Sequence, residues 1–448
     1  MASSLASAAS TLPSLQLSAK YSSLHINAAR TNATLQAACT WGRSPARPVT
    51  NLYPRTTDGG MNRLTCNDDD ESVRDWFISE TQKYGCHHKV DEMGNIFAIR
   101  PGQNNNLPPI DTQPTGGKYD GILGVICGME VLQVLHENNI TTYAPVAVVN
   151  WTNEEGARFP PAMLCSGVWG GEFSVNYAHG RQDPEGESLG EELKRIGYLG
   201  STPWEPTKTQ DPAHFEVHIE QGPILDVAEK PVRIVKGVQS IRWYNISITG
   251  RESHTGTTPM DRRSDALLGA AKIIVETNRI VTENEVAARG GRATIAVINS
   301  SPQSINTIAG KVSLGLDIRA PADSDVELIE QQCRSGFEKI CRSHGLQMTF
   351  DNFWISPALN FDATMVGCVK QSATELGCDI EIVSGAGHNS VYTSRKVPMA
   401  MIFVRCRDGV SHHPAEFSRE EDCAAGAQAL LGAYLRYDDY IRRSTAKI

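Results

Sequence analysis

The chain has 448 residues, 40% of them hydrophobic and 21% charged, and carries a formal net charge of -9 with a pI near 5.8. That length exceeds one ordinary core and is expected to divide into two domains. The acidic balance excludes the basic face that nucleic-acid binding requires, and no apolar run reaches the ~18 residues of a membrane span, so the expectation is a soluble protein acting on a small molecule, with neither nucleic acid nor membrane as partner.

Residues 1–57 contain no Asp or Glu but hold Lys20, Arg30, Arg43, Arg47 and Arg55 among many Ser, Ala and Thr. Such a segment reads either as the disordered tail of a cytoplasmic protein or as a mitochondrial or plastid transit peptide. From Asp68 a helix is signalled by four acids suited to the positive end of the macrodipole, with Val73, Trp76, Phe77 and Tyr84 on one face and Gly85 as its stop. Residues 95–100 read as a strand, Ile122, Val125, Ile126, Met129 and Leu132 recur at helical spacing after a Gly-rich loop, and residues 146–150 form a short buried strand. This is the βαβ grammar of an open α/β sheet.

A different texture begins near Gln239. Residues 243–250, 293–299 and 311–319 alternate like half-buried strands, while 264–280 and 322–343 are amphipathic helices. The order β, α, β, β, α is that of a ferredoxin-like unit. After Phe353 the α/β texture returns and closes on a helix over 419–436. The expected organisation is an N-terminal extension (1–57), a catalytic domain (58–238 and 353–448) and an inserted α+β domain (239–352). The eleven cysteines show no CxxC or zinc-ribbon spacing, so buried reduced thiols are expected.

The chemistry concentrates at element boundaries. Glu154 and Glu155 directly follow the buried strand 146–150, where open sheets place their ligands. One carboxylate of such a pair can bind metal while its neighbour takes a proton from water; alone, the pair would read equally as two solvated side chains. Asp120 ends the turn Gly116-Gly-Lys-Tyr-Asp120, His218 lies in Glu216-Val-His-Ile-Glu-Gln-Gly-Pro223, and His412 lies in Ser411-His-His-Pro-Ala-Glu416. Together these carboxylates and imidazoles make a mixed N/O ligand set.

GGKYDG, NEEGARF, HIEQGP, ESHTGTTPMDRRSDA, INTIAG with LDIR, GAGHNSVY and SHHPAEF, in that order, resemble the amidase, hydantoinase and carbamoylase family of the M20 peptidase-like fold, which includes β-ureidopropionase, N-carbamoyl-L-amino-acid amidohydrolase and allantoate amidohydrolase. The resemblance implies an open zinc-aminopeptidase-like α/β catalytic domain with an inserted ferredoxin-like dimerisation (lid) domain, a homodimer, and two zinc ions per subunit, with manganese, cobalt or nickel as alternatives. It implies hydrolysis of carbon–nitrogen bonds in linear amides, N-carbamoyl amino acids or related ureido compounds. By the same resemblance Asp120 bridges the metals and Glu155, His218 and His412 are further ligands. Glu154 is the general base. Gln221, Asn306, Arg319 and His388 hold substrate, and His254 reaches across the dimer to stabilise the oxyanion.

Residue patterns bear on some of these roles separately. Val312, Leu314, Leu316 and Ile318 point one way along their strand, so Asp317 and Arg319 share the other face. Arg319 there can clamp a substrate carboxylate or pair with Asp317. The polar run Ser253 to Thr258 precedes a helix; helix-start chemistry accounts for its threonines but not for His254.

Two departures from the family pattern stand out. Gly387-His388-Asn389 replaces the usual Gly-His-Asp, which removes a charge beside a substrate position. Family members also carry a metal-binding histidine just before the Gly-rich loop. Here Asp111 matches the aspartate that orients it, while Pro109 occupies the ligand's place. Residues 102–110, with two prolines, cannot supply the buried strand expected there. Loss of a segment of about five or six residues, one strand's length, would remove strand and ligand together, so fewer than two metals per chain and weak hydrolysis are expected. The competing expectation is a catalytically impaired homologue that keeps fold and dimer as a binding protein.

Overall fold

The computed structural model describes residues 15–44, 60–105, 118–202, 213–283 and 285–445. They fall into two units: unit 1 takes residues 1–236, 361–382 and 387–448, and unit 2 takes residues 237–360 and 383–386. The small unit interrupts the larger one in sequence, and its limits lie outside the expected 239–352 on both sides.

In unit 1 the acid-free N-terminal stretch is not a free tail. Asn27 caps helix α1 (Ala28–Ala38), its side chain accepting the Arg30 amide at 3.0 Å. Leu35 and Ala38 are fully buried, and Arg30 lies 2.7 Å from the buried Glu130 and 2.7 Å from Glu137. Residues 15–44 therefore belong to the folded unit, a correction to the expected extension; residues 1–14 and 45–59 lie outside the described residues.

Helix α2 (Asp68–Gln82) forms as expected, with Asn67 accepting the Asp70 amide and the four acids in its first turn. Its buried Arg74 pairs with Asp70 at 2.9 Å and donates to Gly94 O at 2.8 Å and Thr152 Oγ at 3.2 Å. Strands β1 (His87–Val90) and β2 (Ile96–Arg100) form a hairpin, and β2 pairs antiparallel with β3 (Val146–Asn150) across helix α3 (Ile122–Glu137). Among the described residues the strand before α3 (β2) and the strand after it (β3) pair antiparallel, so these two are not the crossover partners that the βαβ reading expected.

The second sheet of unit 1 contains β4 (His214–Ile219) and β5 (Val232–Val238). Helix α3 packs against both β3 and β4, and every residue of those two strands is buried. Yet among the described residues β3 and β4 are not hydrogen-bonded to each other, and they belong to separate sheets.

Unit 2 is built from β6 (Ser240–Thr249), β7 (Ser253–His254), α4 (Ala266–Glu283), β8 (Arg292–Ser301), β9 (Thr307–Ile308), β10 (Lys311–Ala320), α5 (Asp323–Ser343) and β11 (Gln347–Ser356). Its antiparallel sheet has the order β11-β6-β10-β8. Tyr244, Ile246, Ile248, Leu314, Leu316 and Ile318 fill one face against Ile273 of α4 and Ile329 and Phe337 of α5. Strand β11 completes the ferredoxin-like βαββαβ order. The expected boundary at residue 352 cuts through it, because a register shift between Asn352 and Trp354 breaks the alternation that would have marked it.

The chain then returns to unit 1 through α6 (Ala363–Glu375), the first half of β12 (Glu381–Ser384), whose last two residues belong to unit 2, then β13 (Met399–Val404) and α7 (Glu420–Thr445). Strand β13 runs parallel to β4 and antiparallel to β5, buried on both faces as its unbroken apolar sequence requires. Helix α7 extends beyond the expected 436 because Asp438, buried, accepts the amides of Tyr143 and Ala144, each at 2.8 Å. All eleven cysteines are buried, and none is joined in a disulfide. No helix among the described residues is long and apolar enough to cross a membrane.

Candidate metal centre and active site

Asp120 sits immediately before α3, where Gly121 takes a positive φ of 70°. That angle is open to glycine at little steric cost and turns the chain into the helix. The Asp120 carboxylate is 1% exposed and fully engaged. One oxygen lies 2.9 Å from His218 Nε2; the other accepts Ser411 Oγ at 2.6 Å and Gln221 Nε2 at 3.0 Å and lies 3.2 Å from His412 Nε2. Burial works against its charge, but His218 and the hydrogen bonds from His412 and Ser411 outweigh burial and hold the carboxyl well below the usual range.

Glu154 and Glu155 are delivered by β3 on a rigid loop. Asn95 accepts the Thr152 amide at 2.9 Å, and Asn153, at a positive φ of 54°, donates from its side chain to Phe159 O at 2.7 Å. The strained backbone at Asn153 is the kind that persists only where surroundings over-determine it. Glu155 is 3.6 Å from His412 Nε2. Desolvation first, then the charge of Asp120, raises its pKa, and desolvation followed by Glu155 raises that of Glu154 well above normal.

The imidazoles answer this negative crowding. His412, itself at a positive φ of 55°, is pushed up to about 9 by its hydrogen bond to Asp120. His218 is buried, which disfavours its charge, yet Asp120 prevails and pushes it up to about 10. The ligand atoms of Asp120, Glu155 and His412 all lie within 4.8 Å of one another. Two carboxylates faced by an imidazole nitrogen are a donor set that a first-row divalent cation fits.

Of the expected site residues, Asp120, Glu155, His218, His412 and Gln221 come together in unit 1. His388 is 2% exposed, with its ring centroid 4.4 Å from that of His218; burial, then the His218 charge, keeps it neutral. Asn389 accepts a hydrogen bond from Ser166 Oγ and is buried. In unit 2, His254 and Thr307 pair across β7 and β9, and the Thr255 amide donates to Asn306 O at 3.0 Å. Both His254 and Asn306 are exposed. Arg319 takes the ion-pair alternative: Asp317 accepts its Nη2 at 2.7 Å. Asp111, Pro109 and the segment around them lie outside the described residues.

Sequence reasoning assigned no role to Ser411 or Glu416. Ser411 hydrogen-bonds Asp120 directly, and Glu416 accepts the amides of Tyr119 and Asp120 at 2.8 and 2.9 Å. Both belong to the same short motif as His412, which was the available signal.

The chain matches the description "Peptidase family M20/M25/M40" over residues 100–436. It is 41% identical over 384 residues to the N-carbamoyl-L-amino-acid amidohydrolase of Rhizobium meliloti, covering 84% of this chain and 91% of that protein. It is 30% identical over 386 residues to the allantoate amidohydrolase of Bacillus subtilis, covering 84% and 93%. Among solved structures, an amidase of the hydantoinase/carbamoylase family from Burkholderia multivorans is similar with a TM-score of 0.83 and 38% identity, covering 92% of this chain and 98% of that one.

Proposed function

Because the chain belongs to peptidase family M20/M25/M40, with hydantoinase/carbamoylase amidases among its relatives, we propose that it hydrolyses the ureido carbon–nitrogen bond of N-carbamoyl-L-amino acids, releasing the amino acid, ammonia and carbon dioxide. The observation that carries this reading is the Asp120, Glu155 and His412 cluster with Glu154 next to it in sequence. The higher identity to a carbamoylase than to the allantoate enzyme, 41% against 30%, favours N-carbamoyl amino acids over allantoate. Nothing among the relatives favours a silent binding protein.

Asp120, Glu155 and His412 would hold one metal ion, zinc by choice of ligands, with manganese, cobalt or nickel as alternatives. His218 faces the remaining oxygen of Asp120, and the described residues add no third donor there. A bound ion supplies Lewis acidity, polarising the carbonyl and easing deprotonation of water. Glu154, with its raised proton affinity, takes the proton of the attacking water and returns it to the departing nitrogen. Gln221, Asn306, Arg319 and His388 hold the substrate, and His254 of a second subunit donates to the oxyanion.

A homodimer is supported by strand β8, an edge of its sheet that exposes Val297 and Ile298, and by Leu267, Leu268 and Val275, exposed on α4. Apolar edge strands are normally covered. Eleven buried cysteines, none joined in a disulfide, support a reducing compartment, the cytoplasm or an organelle matrix. The test is ammonia release from a panel of N-carbamoyl-L-amino acids, allantoate and N-acyl amino acids with the metal-loaded protein. No release from any ureido compound sinks the reading; faster release from allantoate than from every carbamoyl amino acid moves it to the other branch.

A further inference from the structure

Strands β4 and β13 are parallel neighbours in one sheet of unit 1, with His218 opposite Phe403 and Ile219 opposite Val404, so the loops that follow them leave the same end of that sheet side by side. One loop carries Gln221; the other carries Ser411 and His412. Each is rooted by a buried ion pair directly after its strand, Glu220 with Arg233 in the first and Arg405 with Asp422, at 2.8 Å, in the second. Beyond these roots the loops meet again, where the turn Arg407–Gly409 lies against Gly222 and Pro223, the residues that lead into the one-turn helix Ile224–Val227.

That second meeting is main chain on main chain. A Cβ added to Gly409 would lie 2.5 Å from Pro223 N and closer still to the Gly222 carbonyl carbon, and the φ of 66° at Gly409 independently favours glycine. The contact is one-sided, because a Cβ on Gly222 would meet nothing nearer than Glu220 Cγ at 3.8 Å. Asp408, with a φ of 57°, holds a left-handed conformation of the kind that persists only where its surroundings maintain it. Asp226 maintains it, its carboxylate accepting the Asp408 amide at 2.9 Å. The functional groups stand close to this contact: Gln221 adjoins Gly222, and Ser411 and His412 closely follow Gly409. Gln221 Nε2 donates to Ser411 Oγ at 3.1 Å and to Asp120 at 3.0 Å, and lies 3.3 Å from His412 Nε2.

We propose that Gly409 and Asp226 are positioning residues of the metal centre: they set the distance between the Gln221 loop and the His412 loop. Gly409 lets the two main chains close by presenting no Cβ, and Asp226 fastens the closed arrangement through the Asp408 amide. A methyl group at Gly409 needs ordinary van der Waals separation from Gly222 and Pro223, so the loops must part by roughly 1 Å. A misplacement of that size can cost about 10²-fold in rate. Neither residue belongs to the Asp120, Glu155 and His412 group itself. The inference rests on the metal-dependent hydrolase reading above and adds to it the device that keeps one loop's amide in register with the other loop's imidazole.

The test titrates cobalt(II) into the full chain as wild type, Gly409→Ala, Gly222→Ala, Asp226→Ala and Asp226→Asn, reading affinity and ligand geometry from the visible absorption bands. Thermal melting verifies folding, and turnover of N-carbamoyl-L-leucine follows. Gly409→Ala should weaken cobalt binding about 10–100-fold, the usual effect of disturbing the partners of metal ligands. It should also alter the bands and lower kcat/KM about 10²-fold. Gly222→Ala should keep wild-type affinity and bands. Asp226→Ala should shift both in the direction of Gly409→Ala, and Asp226→Asn, whose amide oxygen still accepts the Asp408 amide, should restore them. Wild-type cobalt affinity and bands in Gly409→Ala, even with a lower melting temperature, overturn the proposal, as does an equal loss in Gly222→Ala. Should Gly409→Ala not fold, the Asp226 pair decides: a loss in the alanine variant restored by asparagine supports the proposal, and equal behaviour of the two overturns it. Wild type that binds cobalt but turns over no ureido compound removes the hydrolase reading alone; wild type that binds no cobalt removes both.

Discussion

Glu416 holds Asp120 through its backbone: one carboxylate oxygen accepts the amide of Asp120 at 2.9 Å and that of Tyr119 at 2.8 Å. Glu416→Ala leaves two buried N–H groups without their acceptor, at about 1–3 kcal/mol each, and loosens the turn that aims Asp120. Outer partners of metal ligands typically contribute 10–100-fold in affinity, and a loss of that size is expected in chelator competition. Unchanged affinity would show that Asp120 is placed without Glu416.

Glu154→Gln should leave metal content intact and lower turnover by at least about 10²–10⁴-fold, the usual contribution of a general base. Glu155→Gln should instead lower metal occupancy. Equal metal content in the two variants would erase the division of labour between these neighbours.

Metal analysis of purified protein should give about one tightly held ion per chain, since a complete zinc site takes three or four protein ligands and only the Asp120, Glu155 and His412 group meets that need among the described residues. Two ions resisting dialysis, in active protein, would contradict this.

His254→Ala subunits mixed with Glu154→Gln subunits should recover activity, because a mixed dimer contains one site with both an intact base and an intact partner His254. Recovery to about a quarter of wild type is the upper limit for random pairing of equal amounts when one intact site acts alone. No recovery above either parent would place His254 in its own subunit's site or outside the reaction.

Arg74→Met removes one member of the buried Arg74–Asp70 pair. Stranding a buried charge typically costs about 3–5 kcal/mol, so urea unfolding should shift by that order. The Glu154 loop should loosen as well, since Arg74 also donates to Thr152. A shift below about 1 kcal/mol would mean that Asp70 is satisfied by the Cys66 amide alone.

The residues with chemistry at element ends were legible because short motifs fix them locally: Glu154 and Glu155 after a buried strand, His412 before a turn. Contacts distant in sequence were not. Helix α1 has few large apolar residues, and its place depends on Arg30 meeting Glu130, 100 residues away. Strand β11 was hidden by its bulge, and the occupation of Arg319 by Asp317 could be named only as one of two alternatives, since both share a strand face. His412 rather than His413 at Asp120 follows from backbone geometry: His413 instead accepts the Ala415 amide at 3.0 Å.

Strands β3 and β4, not hydrogen-bonded to each other among the described residues, make α3 a tie between two blocks. One block is the hairpin with β3, the other the sheet of β4, β13 and β5, and α3 packs on both. A continuous sheet propagates cooperativity through its ladder; among the described residues no ladder joins these blocks, and packing on α3 is the link. Native-state hydrogen exchange should then resolve two opening units within unit 1. Amides of β2 and β3 should exchange together, those of β4 and β13 separately, and α3 should be protected to the level of the more stable block. A single opening shared by all four strands would show instead that packing on α3 couples the two blocks fully.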